Sequence, residues 1–137
     1  MSYKFGWGSN IGTPPYGGCV RNVTFQGISM QDLAGAGCTI KTENGTDPNA
    51  TISEVLWQDI HINGSRDTQS GCVGVSPLYL GSHPQGFFAG PYTPAISNIT
   101  WKNVHGVRCN LPGELWCASW QPCRGLRFDG VHVAEAS

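Results

Sequence analysis

The chain has 137 residues, a length typical of one domain, and only 12% of them are charged, with a net charge of −1. Charges this sparse and scattered exclude the basic surface that binds nucleic acid or an anionic membrane. No stretch approaches the ~18 consecutive apolar residues of a membrane span. We therefore expect a monomeric single domain with no nucleic-acid or membrane partner.

Cysteines and glycosylation sequons indicate a secreted protein. The chain has six cysteines, an even number, and five N-x-S/T sequons at Asn22, Asn44, Asn49, Asn63 and Asn98. Together they point to an oxidising, extracellular environment. The first residues contain no apolar stretch of the signal-peptide kind. We therefore expect that the natural N-terminus lies upstream of Met1.

Glycine (19 residues) and proline (9 residues) are abundant, and no segment has the i, i+3, i+4 apolar spacing of a helix. The chain is therefore predicted to be all-β, with short strands between polar turns. In chain order, the predicted strand regions are 20–30, 37–42, 52–62, 72–80, 96–106, 114–120 and 123–133. In the second region, alternation puts Ile40 and Lys41 on opposite faces, so a charge in this strand need not enter the core.

Four of these regions are copies of one eleven-residue pattern that aligns without gaps: VRNVTFQGISM, ISEVLWQDIHI, ISNITWKNVHG and CRGLRFDGVHV. Apolar residues fill the first, fourth, sixth and ninth columns. The sixth column is aromatic throughout: Phe25, Trp57, Trp101 and Phe128. The fourth and sixth columns form an alternating strand, a small or polar step follows, and the ninth column opens a second short strand. Each copy therefore predicts two strands and a bend.

Repeats that begin 32, 44 and 27 residues apart suit a β-solenoid of about four coils, in which equivalent residues stack in ladders. The alternative is a β-sandwich of seven or eight short strands, which does not explain why eleven columns agree. A solenoid needs caps, and the segment before residue 20 is too short for one. This again suggests a chain that continues upstream.

The tenth repeat column holds three of the four histidines: His61, His105 and His132, with Ser29 in the first copy. Stacked strands lie ~4.8 Å apart, so these imidazoles could approach one another, and imidazole binds zinc or copper. However, the repeat alone explains their spacing. We therefore predict no metal and no other cofactor.

Four stretches resemble the C-terminal half of glycoside hydrolase family 28, the polygalacturonases. They are GWGSNIGT (6–13), the Thr39-Ile40-Lys41 strand, CVGVSPLY (72–79) and CASWQPCRGLRFDGV (117–131). The resemblance runs over nearly the whole chain. It implies that residues 1–137 are the C-terminal part of one right-handed, single-stranded parallel β-helix that acts on pectin in the plant cell wall.

The resemblance also implies roles for single residues. Lys41 matches a lysine that binds the carboxylate of a galacturonate unit, and Tyr79 matches an active-site tyrosine. A disulfide between Cys117 and Cys123 is implied as well. Two positions depart from the family: Trp7 stands where the family has a histidine, and Thr39 where it has an arginine.

The family hydrolyses α-1,4-galacturonosyl bonds with inversion, using aspartates in Asn-Thr-Asp and Asp-Asp motifs. This sequence contains neither motif, so we assign no catalytic residue and expect the chain to be inactive alone. The aspartates without a catalytic match are Asp32, Asp47, Asp59, Asp67 and Asp129. Two alternatives stay open: a non-catalytic carbohydrate-binding β-helix or pseudoenzyme, and a purely structural solenoid.

Overall fold

The computed structural model describes residues 2–4, 8–12, 18–33, 37–42, 49–65, 72–77, 94–109, 111–117 and 121–135, with side chains except at 2–4, 41–42, 65 and 76–77. Eight strands account for most of them: β1 (Ser2–Lys4), β2 (Cys19–Leu33), β3 (Cys38–Thr42), β4 (Thr51–Ser65), β5 (Val73–Pro77), β6 (Ala95–Cys109), β7 (Gly113–Leu115) and β8 (Arg124–Glu135). Within these ranges there is no helix, and hence none that could cross a membrane.

The strands form two sheets, and all paired strands within each sheet run parallel. One sheet has the order β1-β2-β4-β6-β8 and the other β3-β5-β7. From β2 onwards the chain alternates between the two sheets, so each returning strand pairs with the strand two before it. The all-β, parallel character of the chain is thus confirmed. The β-sandwich alternative is disfavoured, because such sandwiches are built from antiparallel sheets.

The pairing register of the larger sheet is the register of the sequence repeat. Val23 pairs with Val55, Val55 with Ile99 and Ile99 with Leu126, all of them fourth-column residues. The sixth column forms a continuous stack of rings, Phe25, Trp57, Trp101 and Phe128. Successive ring centres are 5.5, 5.4 and 4.6 Å apart, with planes within 10° of parallel. The ladders predicted from the repeat are therefore present.

The bend predicted within each repeat is a left-handed residue in the eighth column. Gly27, Asp59, Asn103 and Gly130 have φ values of 66°, 56°, 51° and 64°. Two further positions of the long strands are left-handed. One is the third column, with Asn22, Glu54, Asn98 and Gly125. The other lies five residues beyond the eighth column in β2, β4 and β6, with Asp32, Gly64 and Arg108. Each long strand therefore bends about every five residues.

The sequence pattern predicted two separate strands in each repeat. The bends do not divide the repeat in this way. Stacked residues adopt the same left-handed conformation, so neighbouring strands bend together, and β4 and β6 stay paired from Thr51↔Ala95 to Asn63↔Val107. Since pairing resumes on both sides of a bend, at Gln58↔Lys102 and Ile60↔Val104 for example, the pattern yields one bent strand of 15 residues instead of two short ones.

The core lies between the two sheets, and the two buried indoles connect them. Trp57 and Trp101 are fully buried. Trp57 Nε1 donates to the carbonyl oxygen and the hydroxyl of Ser9, at 2.9 and 3.0 Å. Trp101 Nε1 donates to the carbonyl oxygen of Cys38, at 2.9 Å. Each indole thus belongs to the larger sheet and has its ring in the core. Its N–H donates either to β3 or to residues 8–12.

Four of the six cysteines form disulfides. Cys72 joins Cys109, which links the residue before β5 to the end of β6, and Cys117 joins Cys123. Cys19 and Cys38 are free thiols. Burial raises the pKa of the Cys38 thiol to about 12, and a weak contact with the Ser9 hydroxyl, at 3.7 Å, opposes the shift only slightly.

Gly27 tests the cost of a left-handed bend alone, because a Cβ built at this position would have no atom within 4 Å. We expect Gly27→Val to lower the free energy of unfolding by about 1–2 kcal/mol, the cost of forcing a branched residue into this conformation. Gly27→Asn is the control, since Asn103 adopts the same conformation in the same column. Urea denaturation measures both. Equal stability of the two variants would contradict the role of the bend.

The two free thiols are expected to differ in reactivity. Cys19 is exposed, whereas Cys38 is buried with its pKa raised to about 12, so almost no Cys38 thiolate exists at pH 8. Titration with a chromogenic disulfide reagent should detect one thiol in the native protein and two after unfolding without reductant. Rapid modification of two thiols in the native protein would show that Cys38 is accessible.

Candidate functional site

The structure brings together two of the stretches that carry the family resemblance. Residues 8–12 run alongside β3. The amide of Ile11 donates to the carbonyl oxygen of Thr39 at 3.0 Å, and Ile11 forms a parallel bridge with Ile40. Asn10 and Thr39, separated by 29 positions in the sequence, are joined by their side chains. Residues 8–12, the described part of GWGSNIGT, therefore meet β3 at one edge of the smaller sheet.

Strand β3 is buried at all of its described side chains, which are Cys38, Thr39 and Ile40. Cys38 and Ile40 are fully buried, and Ile40 pairs with Val75 of β5. The period of two assigns positions 39 and 41 to the opposite, outer face of this sheet. The Cα of Lys41 pairs with that of Ser76, but the lysine side chain lies outside the described part of the chain.

Thr39 is on the outer face but is not exposed. Its accessible fraction is 1%, and its Oγ1 donates to Asn10 Oδ1 at 2.5 Å. Burial of a hydroxyl is costly unless it is hydrogen-bonded, so the Asn10 amide oxygen meets a structural need. At the position where the family has an arginine, this chain therefore has a threonine that joins β3 to the segment beside it.

Gly74 and Glu114 continue the row that begins with Asn10 and Thr39. Thr39 pairs with Gly74, and Gly74 with Glu114. Gly74 has φ of 134°, and a Cβ there would lie 1.9 Å from the carbonyl oxygen of Glu114, so only glycine allows β5 and β7 to pair at this point. Glu114 Oε2 accepts a hydrogen bond from Trp116 Nε1 at 2.8 Å.

An open groove of about 350 Å³ lies beside the first residues of β5 and the residues of β7. It is lined by Val73, Gly74, Gly113, Glu114, Leu115 and Phe128. Phe128 and Leu115 are 44% and 52% exposed, so apolar surface is available next to the Glu114 carboxylate. The sequence predicted a strand at 114–120 without a role for Glu114 or Trp116. Their spacing of two residues, which places both on one face, was the available signal.

The other residues singled out from the sequence have different outcomes. Tyr79 and Trp7 lie outside the described residues. Cys117 and Cys123, the pair implied by the resemblance, are 2.09 Å apart at their sulfur atoms. The histidine column is in register on β4, β6 and β8. Across the described ranges, no group of three or more His, Cys, Asp or Glu side chains is arranged to hold a metal ion.

Charge on the outer surface of the larger sheet is partly paired. The Arg21 guanidinium donates to both carboxylate oxygens of Glu54, at 2.9 and 3.2 Å. This hydrogen bonding and the positive charge of Arg21 lower the pKa of the Glu54 carboxyl. Both side chains are well exposed, so the pair fixes a surface contact between β2 and β4 more than it stabilises the fold.

Comparison with protein-family models, curated proteins and solved structures finds no match to this chain. Its function must therefore be argued from the residues and their arrangement.

The hydrogen bond between Thr39 and Asn10 can be tested by removing the donor while keeping the side-chain shape. We expect Thr39→Val to lower the free energy of unfolding by about 1–3 kcal/mol, because it leaves the part-buried Asn10 oxygen without this partner. Thr39→Ser keeps the hydroxyl and should lose less. Thermal unfolding of both variants measures the difference. A more stable valine variant than serine variant would show that methyl packing dominates at this position.

Proposed function

We propose that this chain is part of a polygalacturonase-type glycoside hydrolase of family 28, and that the outer face of the β3-β5-β7 sheet binds galacturonan. The observation that carries the proposal is the contact between residues 8–12 and β3. By the resemblance, both stretches correspond to parts of one substrate cleft in the family. Their contact here is what a shared cleft requires.

The proposal includes a right-handed, single-stranded parallel β-helix. Three features support it: the chain alternates between two parallel sheets, the repeat columns pair in register, and left-handed bends recur at equivalent positions. A β-solenoid needs all three, because each coil must repeat the path of the coil before it. Residues 1–137 are then the C-terminal part of one such domain.

Lys41 has the central role in the proposed binding face. Each galacturonate unit carries a carboxylate, and an ammonium on the outer face would bind and orient the polymer. Glu114, at the far strand of the same sheet, would repel a sugar carboxylate. The acidic groups of the substrate are therefore expected near β3 and away from β7. Tyr79 adds a ring face and a hydroxyl in the proposed cleft.

The chain alone is proposed to bind substrate without cleaving it. Inverting glycosidases need a carboxylic acid and a carboxylate on opposite sides of the bond. The Asn-Thr-Asp and Asp-Asp motifs that supply them in this family do not occur in the sequence. The two disulfides are compatible with an extracellular protein, and we propose the plant cell wall as its place of action.

A non-catalytic carbohydrate-binding β-helix is the second candidate. The buried, hydrogen-bonded Thr39 favours it, since a threonine in this state cannot replace the bidentate grip of an arginine on a carboxylate. Trp7 favours it as well, because an indole does not titrate and cannot act as the family's histidine would. Both candidates use the same face and differ in whether any form of the protein hydrolyses pectin.

The role of Lys41 is tested by the affinity for an unesterified galacturonan oligomer, measured by calorimetry. We expect Lys41→Ala to weaken binding by about tenfold, corresponding to ~1.4 kcal/mol for a lost charged contact. Lys102→Ala is the matched control, because Lys102 is an exposed lysine on the larger sheet.

A methyl-esterified oligomer gives the complementary control. It has no carboxylates, so the two lysine variants should bind it equally. Equal affinities of wild type and Lys41→Ala for the unesterified oligomer would remove Lys41 from the site. Separately, the release of reducing ends from polygalacturonate should stay at background. Turnover above background would show that catalytic carboxylates are present after all.

A further inference from the structure

The tenth column of the larger sheet presents three stacked imidazoles to solvent. His61, His105 and His132 lie on the neighbouring strands β4, β6 and β8, and all three are exposed. The ring centres of His61 and His105 are 5.7 Å apart, and those of His105 and His132 are 5.4 Å apart. The repeat explains why these side chains are aligned. It does not require that they be histidines, since the first strand has Ser29 in this column.

Asp59 and Asn103 orient the central ring. Asn103 Nδ2 donates to Asp59 Oδ1 at 2.6 Å, which turns the amide oxygen of Asn103 towards His105. That oxygen lies 3.1 Å from His105 Nε2. An amide oxygen only accepts, so His105 Nε2 must carry the proton, and the lone pair of the neutral ring is on Nδ1. On β4 and β8 the eighth column holds Asp59 and Gly130, so of the three histidines only His105 follows an asparagine in that column.

The contact between His105 and Asn103 is of the kind that a metal-binding histidine makes with its other ring nitrogen. A ligating imidazole usually donates its other ring N–H to a carbonyl or carboxylate, which fixes the tautomer and the ring orientation. The Asp59–Asn103 pair supplies this to His105 in the absence of any ion. The two neighbouring imidazoles are the nearest further ligands.

The spacing of the column also fits a shared ion. Two imidazole nitrogens that bind one zinc ion at ~2.0–2.1 Å in a tetrahedral arrangement lie roughly 3.4 Å apart, with ring centres about 5 Å apart. The ring centres here are 5.4 and 5.7 Å apart, so His61 or His132 must turn out of its stacked orientation towards an ion on Nδ1 of His105, whose ring Asn103 holds in place. Their exposure leaves room for this motion without any shift of the strands.

We propose that the histidine column is a surface site for one divalent transition-metal ion, of the zinc or copper class. His105 supplies the central nitrogen, and either His61 or His132 supplies the second. Water completes the coordination, so the site needs no cluster of three protein ligands. Neutral imidazole prefers these borderline ions over magnesium, which binds oxygen ligands. The site is on the larger sheet and does not depend on the proposed carbohydrate face.

Calorimetric titration of the untagged protein with zinc chloride or copper chloride tests the proposal. We expect one ion bound per chain and no binding of magnesium. His105→Ala should abolish binding at concentrations that saturate the wild type, and so should the double variant His61→Ala/His132→Ala. Each single variant, His61→Ala or His132→Ala, should still bind, because the other pair remains. His83→Ala, which changes the fourth histidine of the sequence, is the control and should bind as the wild type does.

The orienting role of Asn103 has its own variant. Asn103→Gly removes the amide but preserves the backbone, since Gly27 and Gly130 have the same left-handed conformation in this column. We expect it to weaken metal binding by about tenfold or more with little change in thermal stability. Unchanged or tighter binding would overturn the orienting role. Absence of binding to the wild type, or equal binding by His105→Ala, would overturn the site itself.

Discussion

The backbone of the larger sheet depends on one requirement: residues that stack in a column must share one backbone conformation. Parallel strands remain hydrogen-bonded along their length only if each follows the path of its neighbour. Wherever β4 adopts a left-handed residue, β2 and β6 therefore adopt one as well, as at Asp59, Gly27 and Asn103. The left-handed conformation costs free energy in residues other than glycine. The cost is smallest for asparagine and aspartate, because their short side chains tolerate this conformation. Glycine, asparagine and aspartate accordingly fill all the bend positions of these long strands except those of Glu54 and Arg108.

Alignment of the strands has consequences for both faces of the larger sheet. On the inner face it creates the stack from Phe25 to Phe128, whose two central indoles also bond to Ser9 and Cys38. The position of β3 and of the segment beside it thus depends on the packing of tryptophans on the other sheet. On the outer face the same alignment stacks the histidines at 5.4–5.7 Å. One strand register therefore positions both the aromatic rings of the core and the histidines of the surface.

The contacts of the smaller sheet also depend on particular residues. Gly74 lets β5 and β7 approach, and Thr39 uses its hydroxyl to join β3 to residues 8–12. In the proposed carbohydrate face, the buried Thr39 stands where the polygalacturonases have an arginine, so we expect a weaker grip on a sugar carboxylate than in that family.

Sequence alone determined the strand columns, because a buried ladder accepts only apolar side chains at fixed spacing, and these are visible as a repeat. It likewise predicted a bend within each repeat, which lies at the eighth column. The assignment of Ile40 and Lys41 to opposite faces stays a prediction. It did not determine that the bent strands stay paired, because that depends on the conformation of their neighbours. Nor could it pair Cys72 with Cys109, bury Thr39 against Asn10, or orient His105 through Asn103 and Asp59. Each of these arrangements depends on residues 29 to 44 positions apart in the sequence, and only the tertiary structure brings such residues within bonding distance.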